Sequence, residues 1–151
     1  GKDADNGAMQ QLGLWKNVIK TYASEPYYND IKSDYEVRPQ YYAYSLLTRF
    51  IRPGAEIYPI ATPEEWYAGT AVRNTNGKWV YVFANGMDQE KAISLITQHT
   101  QTKGNYQVYR YIKDGLPTTD QMLAPDAQPL KVNDKILCLL PAHSVIVLKQ
   151  E

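Results

Sequence analysis

The sequence predicts a mainly β chain, an antiparallel immunoglobulin-like β-sandwich preceded by two α-helices. Three observations carry that expectation. Apolar residues recur three and four apart up to Pro53, and beyond it they come in short runs separated by Gly, Pro and Asn. Those later runs number about eight and are joined by hairpin-type turn residues, with no helical period between them, the pattern of an antiparallel sandwich. At 151 residues the chain suits one domain, or a small domain with an appendage. A chain of that size buries roughly 68–70% of its unfolded surface and needs neither disulfide nor metal to fold.

The first helix is expected over Ala8 to Ala23. Met9, Leu12, Trp15, Ile19, Tyr22 and Ala23 share one face, Asn6 suits the N-cap, and Pro26 lies just past the end. The second is expected from Pro39 to Ile51, with Pro39 in its first turn and Pro53-Gly54 as its stop. Ala43, Leu46, Leu47 and Phe50 make its apolar stripe, while Tyr41, Tyr42 and Tyr44 spread around the cylinder.

Strands are expected at Glu56–Ile60, Tyr67–Arg73, Lys78–Ala84, Lys91–Gln98, Tyr106–Ile112, Gln128–Val132, Lys135–Leu140 and Ser144–Lys149. Asn74-Thr75-Asn76-Gly77 supplies the residues of a positive-φ hairpin turn, and Asn85-Gly86-Met87-Asp88 and Pro141-Ala142-His143 serve later hairpins. The stretch from Lys113 to Asp126, rich in Gly, Pro, Thr and Asp, reads as a crossover between sheets. Trp79, Tyr81 and Phe83 point to one side of their strand and Val80, Val82 and Ala84 to the other. A strand apolar on both sides is central, and the helical segment or an absent neighbour is the natural cover for its second face. Two helices do not make a domain, so residues 1–52 are expected to be the tail of something larger and residues 53–151 a sandwich domain.

Composition excludes more than it assigns. Sixteen Lys plus Arg balance 16 Asp plus Glu, which argues against a nucleic-acid binder and gives no sign of charge-driven membrane association. The longest apolar runs, such as Val80–Ala84 and Ile136–Leu140, are far too short to span a bilayer, and the polar start Gly1–Gly7 has no signal-peptide character. The single cysteine, Cys138, excludes an internal disulfide and a multi-cysteine zinc site, and reads as a small buried hydrophobe. Thirteen Tyr and three Trp against two Phe place polar handles on most aromatic rings, which suits half-wet surfaces, interfaces and sugar-stacking faces as well as cores.

Catalytic signatures are missing. His99 and His143 have no zinc-type spacing and read as polar loop residues, and neither a Gly-x-Ser-x-Gly elbow nor a phosphate-cradling Gly-rich loop occurs. No metal ligand set and no cofactor are expected. Among the carboxylates, Thr62-Pro63-Glu64-Glu65 is explained as a capping box, and Glu56 lies near the helix–strand junction, where Arg49 or Arg52 is in reach as a partner. Glycoside hydrolysis needs two carboxyl groups roughly 5–10 Å apart, and no such pair can be assembled from spacing alone. Trp66, Tyr67, Tyr109 and Tyr111 are the candidates for stacking on a sugar, against the simpler reading that they pack in the core or between domains.

The stretch Tyr41-Tyr42-Ala43-Tyr44-Ser45-Leu46-Leu47-Thr48-Arg49-Phe50-Ile51-Arg52-Pro53-Gly54-Ala55 resembles a junction in clan A glycoside hydrolases, family 30 and its relatives. There the last barrel helix ends and the C-terminal β-sandwich begins. Asn76–Asn85 is similar to that family's central hairpin and Ala142–Leu148 to its final strand, so the resemblance covers about Gln40 to Glu151. It implies a non-catalytic accessory sandwich whose partner is the catalytic barrel of the same polypeptide, with the catalytic glutamates upstream on barrel strands. No catalytic residue carries over onto this chain, and Met9–Tyr22 would match a late barrel helix or its connecting segment. Tyr41, Tyr42, Arg49, Phe50 and Arg52 become the candidate interdomain contact. The setting implied is secreted, periplasmic or cell-surface, with a poly- or oligosaccharide as the possible ligand. A stand-alone carbohydrate-binding module and a structural cell-surface sandwich are the alternative readings.

Overall fold

The computed structural model describes residues 15–17, 35–37, 39–62, 67–97, 100–117 and 121–151. In chain order these form β1 (Trp15–Asn17), β2 (Tyr35–Val37), α1 (Pro39–Phe50), β3 (Glu56–Ile60), β4 (Tyr67–Arg73), β5 (Trp79–Asn85) and β6 (Lys91–Ile96). A short 3₁₀ turn (Thr100–Thr102) follows, then β7 (Gly104–Ile112), β8 (Leu130–Val132), β9 (Lys135–Leu140) and β10 (Ser144–Gln150). The chain is mainly β, with a β-sandwich following a helix, and all eight strands expected after Pro53 are present.

The first expected helix is not borne out where it can be compared. Trp15–Asn17 is extended and pairs antiparallel with Tyr35–Val37, Trp15 opposite Val37 and Asn17 opposite Tyr35. A partner strand distant in sequence supplies the backbone hydrogen bonds, and Trp, Tyr and Val suit a pleated ladder as well as they suit an amphipathic face. The remainder of Ala8–Ala23 lies outside the described residues, as do Pro63–Trp66 and His99.

Six strands form one antiparallel sheet in the order β3-β4-β5-β10-β7-β8, and β6-β9 form a second, two-stranded layer. Alternation along each strand sends residues to two separate cores. Trp79, Tyr81, Phe83, Tyr106, Val108, Ile146 and Leu148 face the two-stranded layer and meet Ile136, Leu140, Ile93 and Leu95. Val72, Val80, Val82, Tyr109 and Val147 face the other way and are covered by Tyr42, Leu46, Leu47 and Phe50 of α1. The helix is therefore the cover that the doubly apolar β5 requires.

Turn chemistry sets the frame as expected at the β4–β5 hairpin, but the two later turns are not hairpins: Asn85–Asp88 carries the chain from β5 to β6 and Pro141–His143 from β9 to β10, and each passes between the two sheets. Gly77 has φ +79° and its N–H donates to the Asn74 carbonyl at 2.8 Å, closing the β4–β5 hairpin. Gly54, at φ +81°, sits in the separate Arg52–Ala55 turn that follows α1, closed by the Ala55 N–H on the Arg52 carbonyl at 3.1 Å, and aims the chain into β3. The segment after β7 departs from expectation. It does not cross between sheets, because β8 returns beside β7 in the same sheet. Leu116 and Leu123 tuck into the core under α1, and the Asp126 N–H bonds the Val108 carbonyl at 2.7 Å along the edge of β7. Burying those leucines holds the connection on the helix-covered face instead of releasing it to the second layer.

Candidate functional site

The candidate junction residues act together, and most of them face inward. Tyr42 is buried against the sheet, its hydroxyl 3.5 Å from the Pro117 carbonyl. Arg49 donates through Nη1 to the Leu123 carbonyl at 2.9 Å, and its guanidinium lies 4.9 Å and 5.2 Å from the Phe50 and Tyr109 ring centres. Phe50 and Tyr109 are themselves in ring contact at 4.5 Å. Arg52 is exposed, and its backbone N–H is held by the Asn74 side-chain carbonyl at 3.0 Å. The Asn74 amide returns a 2.8 Å bond to the Phe50 carbonyl, so one side chain clamps the end of α1 to the β4–β5 turn. Tyr41 is half-buried, edge-on to the Tyr42 ring.

The four residues singled out for stacking on sugar do not form one platform. Trp66 lies outside the described residues. Tyr109 is buried beneath α1, with the half-buried Tyr111 two residues along on the same side. Tyr67 is on the opposite side of the sheet, its ring 5.4 Å from the Lys91 ammonium. Burial raises the Tyr111 phenol above its ordinary pKa, as expected for a ring that packs.

Carboxylates likewise find structural partners. Glu56 pairs with neither Arg49 nor Arg52. It accepts a 2.8 Å bond from the Tyr58 hydroxyl and sits 3.7 Å from Arg73, directly across from it on β4. The Arg49 guanidinium is drawn instead to the Leu123 carbonyl. His143, in a left-handed turn at φ +48°, meets Asp88 at 2.6 Å on the surface, as its reading as a loop residue anticipates. Cys138 is half-buried against the core, and burial raises its thiol pKa against an opposing pull from Arg110. Among the described residues no cluster of three or more His, Cys, Asp or Glu could hold a metal ion, and no helix is long and apolar enough to cross a membrane.

Sequence spacing does not reveal a cleft on the other face of the large sheet. A cavity of 460 Å³ opens between the β3–β4–β5 end of the large sheet and the end of β6 with the 3₁₀ turn. Its sheet wall carries Tyr58, Ala71, Arg73, Trp79 and Tyr81, and the opposing wall Ile96, Thr97, Gln101 and Thr102. Tyr58 stands at 46% exposure, its ring 5.6 Å from that of Trp79. Two polar atoms at this cleft, Arg73 Nε and the Thr97 hydroxyl, are buried and have no hydrogen-bond partner among the described residues. The one sequence signal was the alternation that puts Glu56, Tyr58 and Ile60 on the same side of β3; its pairing with Arg73 and Ala71 depends on register.

This architecture is that of a region found within family 30 glycoside hydrolases. An endoxylanase of that family from Clostridium papyrosolvens matches with a TM-score of 0.61 at 21% identity, over 76% of this chain and 28% of its own. A subfamily 8 xylanase from Clostridium acetobutylicum gives 0.62 at 20% identity, over 76% and 28%. The catalytic domain of a family 30 xylanase from Talaromyces cellulolyticus gives 0.59 at 20%, over 78% and 25%. No protein-family model and no curated protein matches the sequence. At these identities the likeness shows the fold, and this chain spans about a quarter of the length of each xylanase. The likeness agrees with the resemblance carried by Tyr41–Ala55 and the strands after it.

Proposed function

We propose that this chain is the non-catalytic β-sandwich region of a glycoside hydrolase and supports a catalytic barrel in the same polypeptide. The observation that carries the reading is a shared fold with a quarter of three family 30 xylanases. The packing of α1 supports it. A helix locked to the sandwich by Leu46, Phe50, Arg49 and Asn74 transmits position rigidly to whatever continues on its N-terminal side. Of the five candidate contact residues, Tyr42, Arg49 and Phe50 are used within the chain. Exposed Arg52 and half-buried Tyr41 retain surface to offer a barrel.

On this reading the catalytic glutamates lie upstream, on barrel strands, and the setting is secreted, periplasmic or cell-surface. The test is the size of the native product, detected in cell and medium fractions with an antibody raised against this chain. A barrel of about 250 residues adds roughly 28 kDa, so a band well above 17.2 kDa is expected. A native product near 17.2 kDa overturns the proposal. In the large product, Arg52→Glu is expected to lower the thermal midpoint of the whole enzyme while leaving that of the isolated chain unchanged.

A further inference from the structure

We infer that the cleft between β3–β5 and the end of β6 is a saccharide-binding subsite for a neutral, hydroxyl-rich sugar ring. Its size comes first: 460 Å³ falls inside the span of about 300–1,000 Å³ usual for small-molecule sites. Its walls are unlike one another. The sheet wall is mostly aromatic apart from Arg73, with Tyr58 at the mouth, Trp79 5.6 Å behind it and Tyr81 stacked on Trp79 at 6.2 Å. The opposing wall brings Thr97, Gln101 and Thr102.

Polar satisfaction then narrows the chemistry. Buried donors and acceptors in native proteins have partners in the large majority of cases, and an exception needs an explanation. Among the described residues, the Arg73 Nε–H donor and the Thr97 hydroxyl at this one cleft are such exceptions. Thr97 is only 9% exposed, so its hydroxyl has little access to bulk water. A purely apolar ligand would leave both unmet. A ring with an apolar C–H face for Tyr58 and hydroxyls on its rim meets both once the Thr97 and Arg73 side chains turn toward it, since neither atom is accessible from the cleft as it stands.

Charge selects the neutral form. Among the described residues, Arg73 is the one charged residue lining the cleft, and its positive charge is already countered by Glu56 at 3.7 Å. An acidic sugar would bring its carboxylate close to Glu56 as well as to Arg73 and gain little. The choice of saccharide over another amphipathic ring rests on the glycoside-hydrolase reading above, while the demand for a neutral ligand with hydroxyls comes from the cleft itself.

The experiment titrates the 151-residue chain with xylohexaose, cellohexaose, mannohexaose and hexagalacturonate, followed by calorimetry and by tryptophan emission. Saturable binding of at least one neutral hexamer is expected, with a change in emission because Trp79 lines the cleft. Tyr58→Ala removes the exposed ring and should weaken binding at least tenfold. Thr97→Val removes a single hydrogen bond and should weaken it about five- to tenfold, with a thermal midpoint at or above that of the parent. Tyr44→Ala, at an exposed ring on the far side of the sheet, should leave affinity unchanged. Flat titrations with all four hexamers overturn the inference. So does binding that Tyr58→Ala and Thr97→Val leave intact, or binding of hexagalacturonate alone. Any of these results leaves the size of the native product, and with it the hydrolase reading, to be decided separately.

Discussion

The two faces of the six-stranded sheet are closed in different ways, and the difference separates structure from site. On the α1 face, the helix and the connection after β7 cover the sheet, and the polar groups that cross the junction are paired: Arg49 with the Leu123 carbonyl, Asn74 with both Phe50 and Arg52. On the other face, among the described residues, two strands provide the cover, and where β6 ends the cleft opens with two buried polar atoms that find no partner there. A satisfied polar group inside a core contributes to one fixed arrangement, whereas an unsatisfied one beside open space is poised for a ligand. The comparison makes the closed face the place to look for loss of stability and the open face the place to look for loss of binding.

The largest expected effect is on the closed face. Leu46 is fully buried between α1 and the sheet, so Leu46→Ala leaves a cavity with little room to collapse and should cost about 3–5 kcal/mol by chemical unfolding. A loss below about 1 kcal/mol would mean that α1 is not a true layer of the core. Next comes Asn74→Ala. It strands the Phe50 carbonyl and the Arg52 N–H at the end of α1, and should cost about 2–3 kcal/mol. The same substitution at Asn76, whose side chain bonds only the Lys78 N–H in an exposed turn, should cost less than half as much.

Most of the fold was legible because its signals are local. Period-two alternation and the Asn-rich turn located β3 to β10, and the two apolar sides of β5 called for a cover that α1 provides. Trp15–Asn17 misled because its apolar spacing satisfies a helix as well as a strand, and only its pairing with Tyr35–Val37 decides between them. Asn74 was read as a turn residue, which it is, but its clamp on residues far earlier in the chain has no sequence signature. The site was less legible still. Tyr58, Arg73 and Thr97 come from three separate elements, and their convergence depends on strand register and on where β6 stops. Tyr109 and Tyr111 stood out as aromatic alternation, yet the arrival of α1 over them turned a possible platform into core.

Alkaline pH gives a further handle on the cleft side. Tyr106 is fully buried in the core beneath the two-stranded layer, its hydroxyl donating to the Thr102 carbonyl at 2.7 Å. Burial, reinforced by the neighbouring Tyr81, pushes its phenol well above the usual value near 10. Below that value both folded and unfolded states hold the proton, and the contribution to stability is complete. As pH rises past it, the unfolded chain ionises first and stability falls. Tyr81 is raised by burial as well and adds to the same decline. Urea unfolding at about pH 8 and pH 11 should therefore show a steep loss in the parent and a shallower one in Tyr106→Phe. Near neutral pH that variant should lose about 1 kcal/mol for the missing hydrogen bond. Equal alkaline slopes would place the decline elsewhere than in this core.

The smallest effect carries the most information about the contrast between the faces. Thr97→Val and Asn74→Ala both delete buried polar atoms, yet they should move stability in opposite directions. Asn74 loses partners that the fold has arranged around it. Thr97 loses a hydroxyl that is desolvated without return, a situation that costs about 1–3 kcal/mol in mutational series, while its backbone N–H keeps the Asp134 carbonyl at 2.9 Å. Valine keeps the branched shape, so Thr97→Val should be neutral or stabilising by up to about 1 kcal/mol in the absence of sugar. If saccharide raises the melting temperature of the parent and not of the variant, the desolvated hydroxyl is held open for a ligand. If Thr97→Val destabilises the sugar-free chain as Asn74→Ala does, the hydroxyl already has a partner. The two faces would then be closed by the same means.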